Sequence, residues 1–249
     1  MMAHVLIVGE SWITNATHFK GFDQFNSTTY ESGVAPLKQA IENAGHEVQW
    51  MPSHEAQSNF PQQIEGLTNI DVLILSDVGA NTLLLHPDTW LRGKPTPNRL
   101  KLIRDWTLNG GALIMCGGYY SFQGMNAGAF YHRTPVETVL PVNISPYDDR
   151  VEVPEGGEVK VLNSNHSIVA GIDTNWEILL GYNRVEAKPN ATVLATINDE
   201  PLLVVGEFGQ GRSIAWTSDI GPHWCPEVFT NWYGYNQLWK QAIDWLLQR

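Results

Sequence analysis

Apolar positions in this chain come in two textures, short unbroken runs and helix-spaced singles, and their order predicts an α/β fold. In "AHVLIVGESW", Val5 to Val8 form a run rich in β-branched residues and closed by a glycine, the pattern of a strand buried on both faces. A polar, aromatic stretch to about Ser32 reads as a loop. In "VAPLKQAIENAGHEVQWMP", Leu37, Ala40, Ile41 and Ala44 fall on one helical face, Gly45 stops the helix, and a second strand runs through Val48. "IDVLILSD" is a third strand. "PNRLKLIRDWTLNGGALIMC" brings Leu100, Ile103 and Trp106 into helical register, then a double-glycine stop and a fourth strand ending at Cys116. Strands that alternate with helices imply a parallel sheet with right-handed crossovers.

Beyond Cys116 the texture changes. "GGYYSFQGMNAGAFYHRTPVETVLPV" has too many glycines and aromatics for a long helix, and predicts an ordered loop followed by a short helix near Val136. From Val151 onward, short runs such as "VEVPEGGEVKV" and "PLLVVGEFGQGRSIAWTSD" predict antiparallel strands and hairpins, a block suited to the far edge of the sheet. "YNQLWKQAIDWLLQR" closes the chain with a helical face of Tyr235, Leu238, Trp239, Ala242, Ile243 and Leu246. No repeat or linker interrupts residues 1–249, so one domain is expected.

Charge narrows the partners. With 15 basic against 26 acidic residues, a formal charge of −11, the chain has no cationic cluster for nucleic acid or an anionic membrane. The apolar runs predict neither a signal peptide nor a membrane span, and two distant cysteines are too few for a disulfide framework, so a reducing, cytoplasmic setting is expected. The low charged fraction, 16%, leaves room for apolar surface and a homo-oligomer. There is no G-x-G-x-x-G after the first strand and no P-loop, so no cofactor is implied. Cys116, Cys225, His223 and Asp219 could surround a zinc ion, but their spacing does not support it, and no metal is expected.

In a doubly wound sheet, ligands bind beyond the carboxyl ends of the strands. Here those ends deliver Glu10, Ser11 and Trp12; Asp77 and Gly79; Cys116, Gly117 and Tyr119; and Asp219 followed by His223. A small-molecule site is expected there. "VGESW", "LSDVGANT", "GGALIMCGGYYSFQG", "TPVETVLPV", "DDRVEVPEG" and "TSDIGPHW" resemble a bacterial family of glutamine amidotransferase-like proteins, within the class I glutamine amidotransferase-like superfamily. The resemblance spans essentially the whole chain. It implies a three-layer, flavodoxin-like fold, with an elbow cysteine at the end of a central strand.

Working amidotransferases of that superfamily carry G-x-C-x-G-x-Q, and here Gly118 matches while Ile114 and Tyr120 replace the first glycine and the glutamine. Their H-x-E pair is replaced by "HWCPE". The resemblance therefore implies Cys116 as a nucleophile acting on an amide or other carbonyl, with His223 as base, Asp219 or Glu227 orienting it, and Gly79 and Gly117 offering oxyanion N–H groups. Two alternatives compete with it. Cys116 can be a small hydrophobe packing a strand end, and the aromatics Trp12, Tyr119, Tyr120 and Trp224 beside acids suit a noncatalytic small-molecule or carbohydrate-binding module.

Overall fold

The computed structural model describes residues 2–248. In chain order its elements are β1 (His4–Gly9), β2 (Ser11–Lys20), β3 (Asp23–Ser32), α1 (Ala35–Asn43), β4 (Glu47–Met51), α2 (Ser53–Asn59), β5 (Val72–Ser76), α3 (Ala80–Leu84), α4 (Pro87–Arg92), α5 (Arg99–Leu108) and β6 (Ala112–Cys116). There follow β7 (Val142–Ile144), β8 (Arg150–Gly157), β9 (Val159–Val161), β10 (Leu179–Asn183), β11 (Val185–Ala187), β12 (Thr192–Ile197), β13 (Glu200–Phe208), β14 (Gly211–Trp216), α6 (Glu227–Thr230) and α7 (Tyr233–Leu246). Eight strands form one sheet in the order β4-β1-β5-β6-β14-β13-β12-β9. The five strands from β4 to β14 are mutually parallel, and β13, β12 and β9 continue the sheet antiparallel, as the C-terminal runs predict.

Period-two alternation explains the three layers. Val5 and Ile7 face a core shared with Leu37 and Ile41 of α1 and with Leu238 and Ile243 of α7. Leu6 and Val8 face the other core, with Leu100 and Ile103 of α5. Because both faces are covered, the central strands carry no polar alternation, which is why they read as unbroken runs. Asn98 starts α5 by accepting from the N–H groups of Leu100 and Lys101 (3.0 and 3.1 Å).

One expectation is corrected. The stretch to Ser32 is not a loop: β2 and β3 pair in continuous register from Ser11↔Ser32 to Lys20↔Asp23, forming a two-stranded arm. Nearly all of its residues are exposed, so neither face carries the apolar alternation that marks a half-buried strand. The short helix expected near Val136 is present as a 3₁₀ turn, Glu137–Val139.

Candidate functional site

Sheet order reverses beside β1: the chain passes from β1 to β4 on one side and returns to β5 on the other. Glu10 and Asp77 follow directly on β1 and β5, flanking that switch point. Both are non-glycine residues held in left-handed backbone conformations, φ 54° and 47°. That conformation costs an ordinary residue on the order of 1 kcal/mol or more, and it recurs where side chains are aimed for function. Gly9 makes the turn possible, because its φ is 105° and a Cβ there would overlap the Ser76 carbonyl. The two turns are then tied together, with Glu10 N–H donating to the Ser76 carbonyl (2.8 Å) and Ser76 Oγ donating to Glu10 Oε2 (2.6 Å).

Between these turns and the segment after β14 lies a cavity of about 520 Å³, lined by Glu10, Trp12, Asp77, Tyr119, Tyr120, Asp219, Pro222 and His223. Four strand ends from distant parts of the chain therefore converge on one volume. Asp219 is buried and its Oδ2 lies 3.5 Å from His223 Nδ1. The imidazole packs edge-on to Tyr119 (4.2 Å between centroids) and parallel to Trp224 (5.6 Å). Tyr119 in turn lies under the Arg150 guanidinium at 5.3 Å, and Trp224 Nε1 donates to Glu152 Oε2 (2.9 Å).

Crowding of acids sets their protonation. Burial, followed by the charges of Asp219 and Asp77, pushes the Glu10 carboxyl well above its usual range, and only the Ser76 hydroxyl opposes this. Burial and then Asp219 push Asp77 up to about 6, against hydrogen bonds from the Tyr120 and Tyr119 N–H groups. Burial also raises Asp219, partly offset by its bond to His223. The same bond raises the His223 imidazole. The three acids thus share one buried cluster in which each is pushed toward its protonated form.

Cys116 stands differently. It is fully buried, packs in the core beside Ile114 and Trp216, and does not border the cavity. Burial first, then Glu10 and Asp219, push its thiol well up, away from the thiolate that attacks carbonyls. The N–H groups after it already have partners. Gly117 N–H is shared between the Trp216 and Ser218 carbonyls (2.7 and 2.8 Å), and a Cβ at Gly117 would overlap the Thr217 carbonyl, so these backbones touch. Gly118 N–H donates to Asn183 Oδ1 (2.9 Å), and that of Tyr120 donates to Asp77 Oδ1 (2.6 Å). Gly117, expected as an oxyanion donor, therefore has its N–H directed into the sheet, because β6 and β14 are paired to their last residues, Cys116 and Trp216.

The remaining expected residues scatter. Gly79 precedes α3 and packs against the Tyr120 ring without lining the cavity. Ser11 Oγ accepts from the Ser53 N–H (2.8 Å) and borders a neighbouring pocket of about 310 Å³. Glu227 is exposed in the first turn of α6, whereas Asp219 is the acid beside His223. Among the described residues, no group of three or more His, Cys, Asp or Glu is arranged to hold a metal ion.

Sequence reading missed the pair that organises the loop after Cys116. Buried Asp149 accepts from the Gln123 and Gly124 N–H groups and from Asn183 Nδ2 (2.8 Å each). Asn183 also bonds both the N–H and the carbonyl of Gly118. Neither residue follows one of the sheet's parallel strands, so no strand-end rule finds them. Their only sequence signal is polar residues beside runs whose neighbours are buried.

Over residues 4–248 the chain matches the family described as "Putative glutamine amidotransferase". It belongs to that family. Two solved members of this fold are 40% identical to it, the cytoplasmic proteins STM3548 from Salmonella typhimurium and STM1381 from Salmonella typhimurium LT2. The first has a TM-score of 0.94 and an alignment covering 97% of this chain and 98% of that one; the second has 0.93, with 98% and 99% covered. A protein from Parabacteroides merdae described as "putative thua-like" superposes with a TM-score of 0.61 at 13% identity, over 99% of this chain and 90% of that one, which shows the shared fold alone. No curated protein matches the sequence. Membership thus carries the flavodoxin-like fold, while chemistry has to be argued from the site.

Proposed function

We propose that this glutamine amidotransferase-like protein binds a small hydroxyl-rich molecule, of the sugar or polyol class, in the cavity at the strand ends, without nucleophilic chemistry at Cys116. The observation that carries this reading is the fate of the N–H groups around the elbow. Those of Gly117, Gly118 and Tyr120 are engaged by protein acceptors, the last by the Asp77 carboxylate, so the donors that an oxyanion at Cys116 would need are already committed. The cavity wall offers what a polyol needs: aromatic surface from Trp12, Tyr119 and Tyr120, and the carboxyl groups of Glu10, Asp77 and Asp219 as hydrogen-bonding partners. In this reading Asp219 orients His223, and the imidazole serves as a hydrogen-bonding wall. A cytoplasmic location is inferred with it, since the two relatives at 40% identity are described as cytoplasmic.

The test is calorimetric titration with a panel of monosaccharides and linear polyols, on wild type, Cys116→Ser and Trp12→Ala. Binding retained in Cys116→Ser and weakened about tenfold in Trp12→Ala, the loss of roughly 1.4 kcal/mol, supports the reading. The cysteine-hydrolase alternative gains if no polyol binds and Cys116 is alkylated in the folded protein with a titration below about 8.5 that disappears in His223→Ala.

A further inference from the structure

We propose that the arm formed by β2 and β3 is a dimerisation element, which pairs antiparallel with the same arm of a second copy of this chain. Ten residues per strand extend the arm about 34 Å at roughly 3.4 Å per residue. It is anchored at its base, where Ser11 meets Ser53 and Tyr30 packs edge-on to His54 at 5.3 Å. Beyond that it has no core of its own, and an isolated two-stranded ribbon is marginal in water. Among the described residues β2 and β3 pair only with each other, so both outer edges present unpaired backbone, and natural proteins seldom leave such edges uncovered.

The distribution of side chains identifies the occupant. At the tip, Phe19 is 73% exposed, Phe22 fully exposed and Phe25 49% exposed. At the base, Trp12, Ile13 and Tyr30 are 40%, 55% and 50% exposed. Between them lies a polar ladder in which Thr17 Oγ1 donates to Asn26 Oδ1 and Thr28 Oγ1 donates to Asn15 Oδ1. This apolar, polar, apolar sequence reads the same from either end. Laid antiparallel about a twofold axis through the ladder, two arms bring the tip of each onto the base of the other, ladder on ladder. The same operation sets Phe19 at the tip of β2 against Ile13 at the base of β2 in the other copy, apolar on apolar, and Thr17 against Asn15. A ladder of threonine and asparagine suits self-pairing better than a purely apolar partner, which would strand its hydroxyls and amides. Trp12 lines the cavity, so the partner's phenylalanines come to rest at the rim of each site.

Two measurements on the full chain test this. Sedimentation equilibrium of wild type should give twice 27.8 kDa, and Phe19→Ser/Phe22→Ser should weaken the dimer at least tenfold with an unchanged circular dichroism spectrum. Ile13→Cys and Phe19→Cys proteins, prepared separately and mixed under mild oxidation, should cross-link between copies in the mixture and not in either protein alone. A monomeric wild type, an assembly untouched by the tip substitutions, or cross-links within the separate proteins but not in the mixture would overturn the proposal.

Discussion

Two turns lie side by side at the carboxyl edge of the sheet, one after Cys116 and one pairing Glu10 with Asp77, and they spend their polar groups in opposite ways. After Cys116 the N–H groups of Gly117, Gly118 and Tyr120 are bonded within the protein, and the cysteine side chain is sealed in the core. At Glu10 and Asp77 the backbone is left-handed and three acids are crowded together around a cavity. A saturated turn is a structural joint, because nothing in it gains by meeting a ligand. A crowded, strained one holds free energy that a ligand can relieve. The contrast teaches that position at the end of a central strand is insufficient for chemistry; what matters is which donors and charges are left uncommitted.

Breaking the saturated turn should have the largest effect. Asn183→Leu removes the acceptor for Gly118 N–H and the donor to Asp149, leaving a buried N–H and a buried carboxyl short of partners. The expected loss is about 3–5 kcal/mol, read by urea denaturation.

Relieving the crowded turn should do the reverse. Native Asp77 takes up its proton at about 6, against 3.8 unperturbed, so between those values the native state binds more protons than the unfolded one. Its contribution to stability is therefore present below about 4 and lost as pH rises through 6. Asp77→Asn, which keeps an acceptor for Tyr119 and Tyr120, should match wild type near pH 4 and exceed it by about 1–2 kcal/mol above pH 6.5. Thermal melts across pH 4–8 check this, and a gain that does not grow with pH would remove Asp77 from the crowded cluster.

Cys116→Ala should cost about 1 kcal/mol through lost packing and leave polyol affinity unchanged. The smallest effect belongs to Glu227→Gln, expected within about 0.5 kcal/mol of wild type and without influence on His223. Asp219→Asn, by contrast, should lower the His223 pKa, because the bond to Asp219 is what raises it. Imidazole NMR titration of the two variants separates the orienting acids.

Much of this architecture is legible in the amino-acid order. Apolar runs such as Val5–Val8 and the helix-spaced Leu100, Ile103 and Trp106 specify strands and helices through local periodicity, and the rule that ligands bind at strand ends points to Glu10, Asp77 and Asp219. Local pattern also distinguishes the antiparallel far side of the sheet, since β12, β13 and β14 follow one another through short turns. Three things were decided only in tertiary structure. The arm needed register, because its strands bury no face and so leave no alternation in the sequence. The roles of Asp149 and Asn183 needed the approach of β8 and β10 to the loop after β6, contacts tens of residues apart in the chain. Cys116 and Asp77 look alike as residues that close a strand. Their difference lies in which amides and carboxylates surround them, and that is set by the strands that pair beside each turn.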